Sequence, residues 1–140
     1  MLILDTNVLS EIMGPRPAPE VAAWMARQPD DLLITTAISQ AEILSGLAIM
    51  PEGRRRRELE SAACGIFTED FEGRILPFDT DATAAYAEVV AARRRTGRAT
   101  APLDLMIAAV AVSHNASVVT RDTKGFEGCG LTLVNPWQVS

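Results

Sequence analysis

Short apolar runs that end in polar or acidic residues, separated by stretches of helix length, constrain this chain more than any other feature. Leu2-Ile3-Leu4 stops at Asp5, Leu32–Thr36 leads to Ser39, Ile75–Phe78 meets Asp79, Ser117–Thr120 precedes Asp122, and Leu131–Val134 closes the series. Runs this short and this apolar read as buried strands. Strands that alternate with helices build βα units, so the expected class is α/β, with a mostly parallel central sheet flanked by helices.

The helices between the strands carry recognisable boundaries. Thr6 or Asn7 is placed to cap the first, Pro19 suits the opening turn of one through about Arg27, and Ser39 starts another from Gln40 to Ile49. After Pro51 and Gly53 a long helix runs to between Cys64 and Asp70, and Asp79 or Thr80 caps one that Gly97 closes. From Leu103 to Val112 nearly every residue is apolar, so this helix is predicted to be buried all round.

With 140 residues, 48% of them hydrophobic and 22% charged, the chain is read as one domain over 1–140 that folds without disulfides. The opening residues carry no basic leader and no apolar run of membrane-spanning length, so a soluble cytoplasmic protein is expected. Cys64 and Cys129 lie outside any metal-ligand spacing and read as small apolar fillers. With one histidine, His114, neither a Cys/His zinc site nor a Ser/His/Asp arrangement can be assembled. Net charge is −5, yet Arg54–Arg57 and Arg93, Arg94, Arg95 and Arg98 form two local runs. They read either as nucleic-acid contacts or as solvated helix faces, because phosphate affinity is set locally.

Four carboxylates stand at element boundaries: Asp5 after the first strand, Glu42 in the first turn of its helix, Asp104 at the start of the apolar helix, and Asp122 after the fourth strand. In an open parallel sheet, ligand sites form beyond the carboxyl ends of the strands. Carboxylates gathered there without counter-charge repel one another and are pushed toward protonation unless a divalent cation joins them. An oxygen-only donor set selects Mg²⁺ or Mn²⁺, which keep several waters and complete their shell with substrate phosphate. The chemistry so implied is phosphodiester hydrolysis. Each residue also has a local explanation: a helix cap for Asp5, the Ser39-x-x-Glu42 capping box, the helix dipole for Asp104, and an Asx turn for Asp122. None of these explains why all four fall where the sheet would bring them to one edge.

The ordered set Asp5-Thr6-Asn7, Ser39-x-Ala41-Glu42-x-x-x-Gly46, Asp104-x-x-Ile107-Ala108-Ala109 and Thr120-Arg121-Asp122-x-x-x-Phe126, with the closing Asn135-Pro136-Trp137, resembles the PIN-domain family, and within it the VapC and FitB-like toxins. The resemblance spans nearly the whole chain. It implies a Mg²⁺- or Mn²⁺-dependent endoribonuclease with Asp5, Glu42, Asp104 and Asp122 around the metal and Asn7 and Thr120 as polar neighbours. Asp5 and Asp104 stand out as direct ligands; many relatives carry Asn at the position of Asp122, which gives that residue a tuning role. The family further implies a homodimer, an RNA substrate and a cognate antitoxin whose C-terminal segment covers the site.

Other readings fit less well. A haloacid-dehalogenase-like phosphatase needs a second Asp where this chain has Asn7, and a receiver domain needs a lysine after a late strand, whereas Lys124, the only lysine, falls in a turn. The alternative from a different class is a non-catalytic RNA- or protein-binding PIN module, against which the complete carboxylate set argues.

Overall fold

The computed structural model describes residues 1–138 and contains five strands, all parallel to their neighbours, in the order β3-β2-β1-β4-β5. The strands are β1 (Leu2–Leu4), β2 (Leu33–Thr36), β3 (Ile75–Leu76), β4 (Ser117–Val119) and β5 (Leu133–Val134). The helices are α1 (Thr6–Met13), α2 (Pro19–Ala26), α3 (Ala37–Ala48), α4 (Arg54–Gly65), α5 (Thr80–Arg95) and α6 (Pro102–Ser113). A single π turn, Ile66–Asp70, extends α4. The expected α/β class is therefore observed; the last two residues of the expected 1–140 domain lie outside the described residues.

Alternation along the strands divides the core in two. Ile3, Ile34 and Val118 face one side and pack with Ala82 and Val89 of α5 and with Leu105, Ile107 and Val110 of α6. Leu4, Leu33 and Val119, their neighbours in sequence, face the other side with Val8 and Leu9 of α1, Trp24 of α2 and Phe67 after α4. A period of two in strands with both faces covered produces this split.

As its composition predicts, α6 is buried over most of its length, from Leu105 through Ala111 with the exception of half-buried Met106. Small side chains at Ala108 and Ala111 share one buried cluster with Ala82 and Val89 of α5, the helix packed most extensively against α6. Pro102 occupies its first turn. At the far end Asn115 adopts φ 53°, and Ala116 N donates to Ala111 O at 2.9 Å, a left-handed close that turns the chain into β4.

Several boundaries differ from the sequence reading. Of the cap candidates for α1, Asp5 is the one that serves, as its local explanation had it, and not Thr6 or Asn7; its Oδ1 accepts from Thr6 N at 2.8 Å. The Ser39–Glu42 capping box does not form: Thr36, the last residue of β2, caps α3 by accepting from Ser39 N at 3.1 Å, so the helix begins at Ala37. In both cases the residue at or directly after a strand's end serves as the next helix's cap. Strands β3 and β5 shorten to two residues each. Cys129 is buried as expected, but Cys64 is exposed and fills no core space.

Because Ile107 is fully buried between the sheet and α5, Ile107→Ala is expected to lower unfolding stability by about 2–5 kcal/mol. A urea titration should show this as a lower midpoint at unchanged slope; an unchanged midpoint would mean that α6 is not the core element described.

Candidate active site

Strand order decides where the site lies. From β1 the chain moves to β2 and β3 on one side, then crosses back to β4 on the other. The carboxyl ends of β1 and β4 therefore flank the point where the winding reverses, the usual ligand crevice of an open α/β sheet. Leu4 and Val119 are paired in register, and Asp5 N donates to Val119 O at 2.9 Å, so Asp5 and Thr120 emerge side by side.

Asp5 is buried at 4% exposure and held from several directions. Its Oδ2 accepts from Thr120 Oγ1 at 2.8 Å and from Asn7 Nδ2 at 3.2 Å, while its Oδ1 receives the Thr6 amide. Asn7 Oδ1 in turn accepts from Arg121 N at 3.2 Å, and Thr120 Oγ1 from Asp122 N at 3.1 Å. This network ties the turn after β4 to the first turn of α1. The Arg121 guanidinium lies 5.0 Å over the Trp137 ring, so the end of the chain braces the same turn.

The remaining carboxylates arrive on separate elements. Glu42, one turn into α3, is half-buried, and its Oε1 accepts from Thr6 Oγ1 at 2.7 Å, with Ser39 Oγ 3.0 Å from the same hydroxyl. One hydroxyl has one proton to give, and the charged oxygen is the stronger acceptor. Asp104 lies in the first turn of α6, and Asp122, exposed, precedes a 3₁₀ turn over Thr123–Gly125 without capping it through its side chain. All four expected carboxylates line one cleft of about 500 Å³ with Asn7, Ser10 and a fifth carboxylate, Glu11, that the sequence reading did not single out. The expected constellation is therefore brought together. Thr6 and Ser39, which sequence reasoning treated only as capping candidates, also enter the network.

The arginine runs separate in character. Arg54–Glu58 and Arg56–Glu60 pair along α4 at 2.9 and 2.8 Å, as solvated i,i+4 neighbours do. Arg93, by contrast, is 4% exposed and donates only to backbone carbonyls, so it forms no part of a solvated face or a surface patch.

A family model described as the PIN domain matches residues 2–128. The chain belongs to the PIN-domain family. It is 42% identical over 138 residues to the VapC ribonuclease Y4jK of Sinorhizobium fredii, covering 99% of both chains. It is 36% identical to the toxin FitB of Neisseria gonorrhoeae over 137 residues, covering 98% of this chain and 99% of that one. Its fold matches the structure of FitAB bound to an IR36 DNA fragment with a TM-score of 0.92 at 35% identity, over 100% of this chain and 98% of the other.

PIN ribonucleases generally depend on a divalent metal, and the electrostatics of this cleft suit one. Burial is the main cause that pushes the Asp5 carboxyl up to about 6 from its ordinary 3.8; the Thr120 hydroxyl and Thr6 amide pull the other way, and the charges of Asp104 and Glu42 add to the rise. Asp104 is also raised, by burial first and then by Asp122 and Glu42, against a lowering by Arg93. Asp5 and Asp104, which resist ionising together, stand with Glu42 and Asp122 as an oxygen-only donor set for a hard cation. No three His, Cys, Asp or Glu side chains among the described residues are gathered tightly enough to enclose an ion by themselves.

The folded chain holds the Asp5 proton more tightly than the unfolded chain does. The stability this contributes is complete below the unfolded value of 3.8 and is lost as pH rises through about 6. Metal-free protein is therefore expected to melt at lower temperature at pH 7 than at pH 5. In chelator at pH 7, Asp5→Asn should recover part of that loss, up to about 3 kcal/mol. Calorimetry across this range checks both; a variant less stable than wild type at pH 7 would contradict the assignment of Asp5 as a strained charge.

Proposed function

We propose that this PIN protein is a metal-dependent endoribonuclease and the toxin half of a VapBC-type toxin–antitoxin pair. The observation that carries the reading is the convergence of Asp5, Glu42, Asp104 and Asp122 on one cleft at the switch point of the sheet. The VapC ribonuclease and FitB toxin relatives, matched over nearly their whole length, support it.

In this reading Asp5 and Asp104 hold a Mg²⁺ or Mn²⁺ ion directly, Glu42 and Asp122 belong to the acidic lining, and Asn7 and Thr120 orient Asp5. Such an ion, when bound, polarises a phosphoryl oxygen and lowers the pKa of a coordinated water. The protein's own contribution is position. Thr120 and Asn7 fix one oxygen of Asp5 and the Thr6 amide fixes the other, which leaves that carboxylate a single orientation. The Thr6 hydroxyl aims Glu42 from the opposite wall. The N-termini of α1 and α6 add their positive dipole ends where Asp5 and Asp104 stand, favouring the anionic forms that ligation needs.

A second groove, of about 630 Å³, shares Thr6, Ser10 and Glu42 with the cleft and continues between apolar Met13, Leu47, Met50 and Leu59. It suits an antitoxin segment with apolar anchors whose end enters the acidic cleft with a cationic side chain. The homodimer implied by the resemblance has a candidate face where Leu103, 47% exposed, adjoins Ile38, Phe78 and Met106. No helix among the described residues is long and apolar enough to cross a membrane.

The purified chain, freed of any partner and incubated with a structured RNA pool, is expected to cleave in Mg²⁺ or Mn²⁺ and not in chelator. Asp5→Asn and Asp104→Asn should each remove cleavage by at least about 10²-fold while circular dichroism stays unchanged. Metal-independent cleavage, or full activity in both variants, would overturn the metal site; RNA binding that is indifferent to chelator and never leads to cleavage would favour the non-catalytic module.

A further inference from the structure

The buried arginine of α5 is not accounted for by the four carboxylates. Its guanidinium grips two segments that are distant in sequence. Nε donates to Ala99 O at 2.7 Å, just before the start of α6, and Nη1 donates to Lys124 O at 3.1 Å and Glu127 O at 2.5 Å, after Asp122. The first segment leads into Asp104 and the second follows Asp122, so one rigid fork spans the supports of two site carboxylates. A planar guanidinium with donors in fixed directions suits this task, whereas an ammonium on a flexible stem does not.

Between the two gripped carbonyls lies Gly125. A Cβ placed there would stand 3.1 Å from Asp122 Oδ2 and 3.2 Å from Asp104 Oδ2, tighter than ordinary contact with both carboxylates at once. The backbone of Gly125 does not occupy the left-handed region. Conformation does not demand glycine here; what an added Cβ would change is the space beside the two oxygens, which would each have to give by a few tenths of an ångström. Phe126, buried at 1% exposure, anchors the same turn in the core next to α6.

We propose that Arg93 and Gly125 are positioning residues that together set the separation of the Asp104 and Asp122 carboxylates, Arg93 by drawing the turn of residues 122–127 onto the approach to α6 and Gly125 by leaving room for the two carboxylates to meet there. The metal arm of the test rests on the proposed nuclease reading; the stability arm does not. Calorimetric titration with Mn²⁺ is expected to give at least tenfold weaker binding for Gly125→Ala, with unchanged circular dichroism. Arg93→Lys, which keeps the charge and loses the fork, should bind several-fold more weakly and exchange amide hydrogens faster at residues 99–101 and 122–127 together.

In chelator, Gly125→Ala and Asp122→Ala should fail to add: their joint effect on the unfolding equilibrium constant should depart at least fivefold from the product of the single effects. Wild-type protein that binds no Mn²⁺ would sink the metal reading, and the chelator cycle would then decide the positioning role alone. Additive effects in chelator overturn the proposal, as does a Gly125→Ala variant that matches a Mn²⁺-binding wild type within twofold. Arg93→Lys with wild-type exchange in both segments overturns the role of Arg93.

Discussion

Everything at this site turns on a carboxylate where burial least favours one. Asp5 directly follows the central strand, flanked by β4 on one side and β2 on the other, and it is almost fully buried with two further carboxylates near enough to raise its pKa. A charge so placed survives by being supplied with donors: the Thr120 hydroxyl, the Asn7 amide and the backbone N–H of Thr6. The parallel pairing of β1 with β4 makes this possible, because Leu4 opposite Val119 puts Asp5 and Thr120 at the same level. A shift of one residue in that register would turn one of the two away from the other.

The core is arranged to hold that register. With α5 and α6 on one face of the sheet and α1, α2 and α4 against the other, β1 and β4 are packed from both sides and cannot slip without exposing Ile3, Leu4, Val118 or Val119. The same packing fixes Asp104, since the residue after it, Leu105, is fully buried. Asp122 lacks such support on its own element: it is exposed, in a turn, and its side chain caps nothing. Its position depends on what holds the turn, namely Phe126 in the core, the Asp122 amide on Thr120 and the carbonyls taken up by Arg93. The turn that carries this exposed charge into the cleft is thus held from behind.

Much of this was legible in the sequence because period and boundary residues carry physical meaning. Buried parallel strands must be short and apolar, and a helix enclosed along most of its length must be apolar there; both patterns are visible in Leu2–Leu4 and in Leu105–Ala111, although Leu103, expected to be buried with them, is exposed. The four carboxylates were legible for the same reason, since acidic residues at strand and helix ends are sorted to one edge by topology. The caps were misread because a side chain's identity does not say which of two adjacent elements it belongs to. Thr36 ends β2 and caps α3 at once, three residues before the expected Ser39, and Asp5, directly after β1, caps α1 in place of Thr6 or Asn7. Arg93 was hidden by composition: in a run of arginines the one that turns inward looks like those that stay in water, and only the carbonyls of nearby Ala99 and of distant Lys124 and Glu127 distinguish it. The role of Thr6 was hidden by distance, its partner Glu42 lying 36 residues away.

The acidic character of the cleft bears on how such a site would engage its substrate. RNA presents phosphates, and a cleft lined by Asp5, Glu42, Asp104 and Asp122 repels them in the absence of counter-charge. Divalent cation and phosphate would therefore each raise the affinity of the other, as reciprocal coupling between bound species requires. On this argument metal affinity and substrate affinity would reinforce one another at a single edge of the sheet, where the acidic side chains converge.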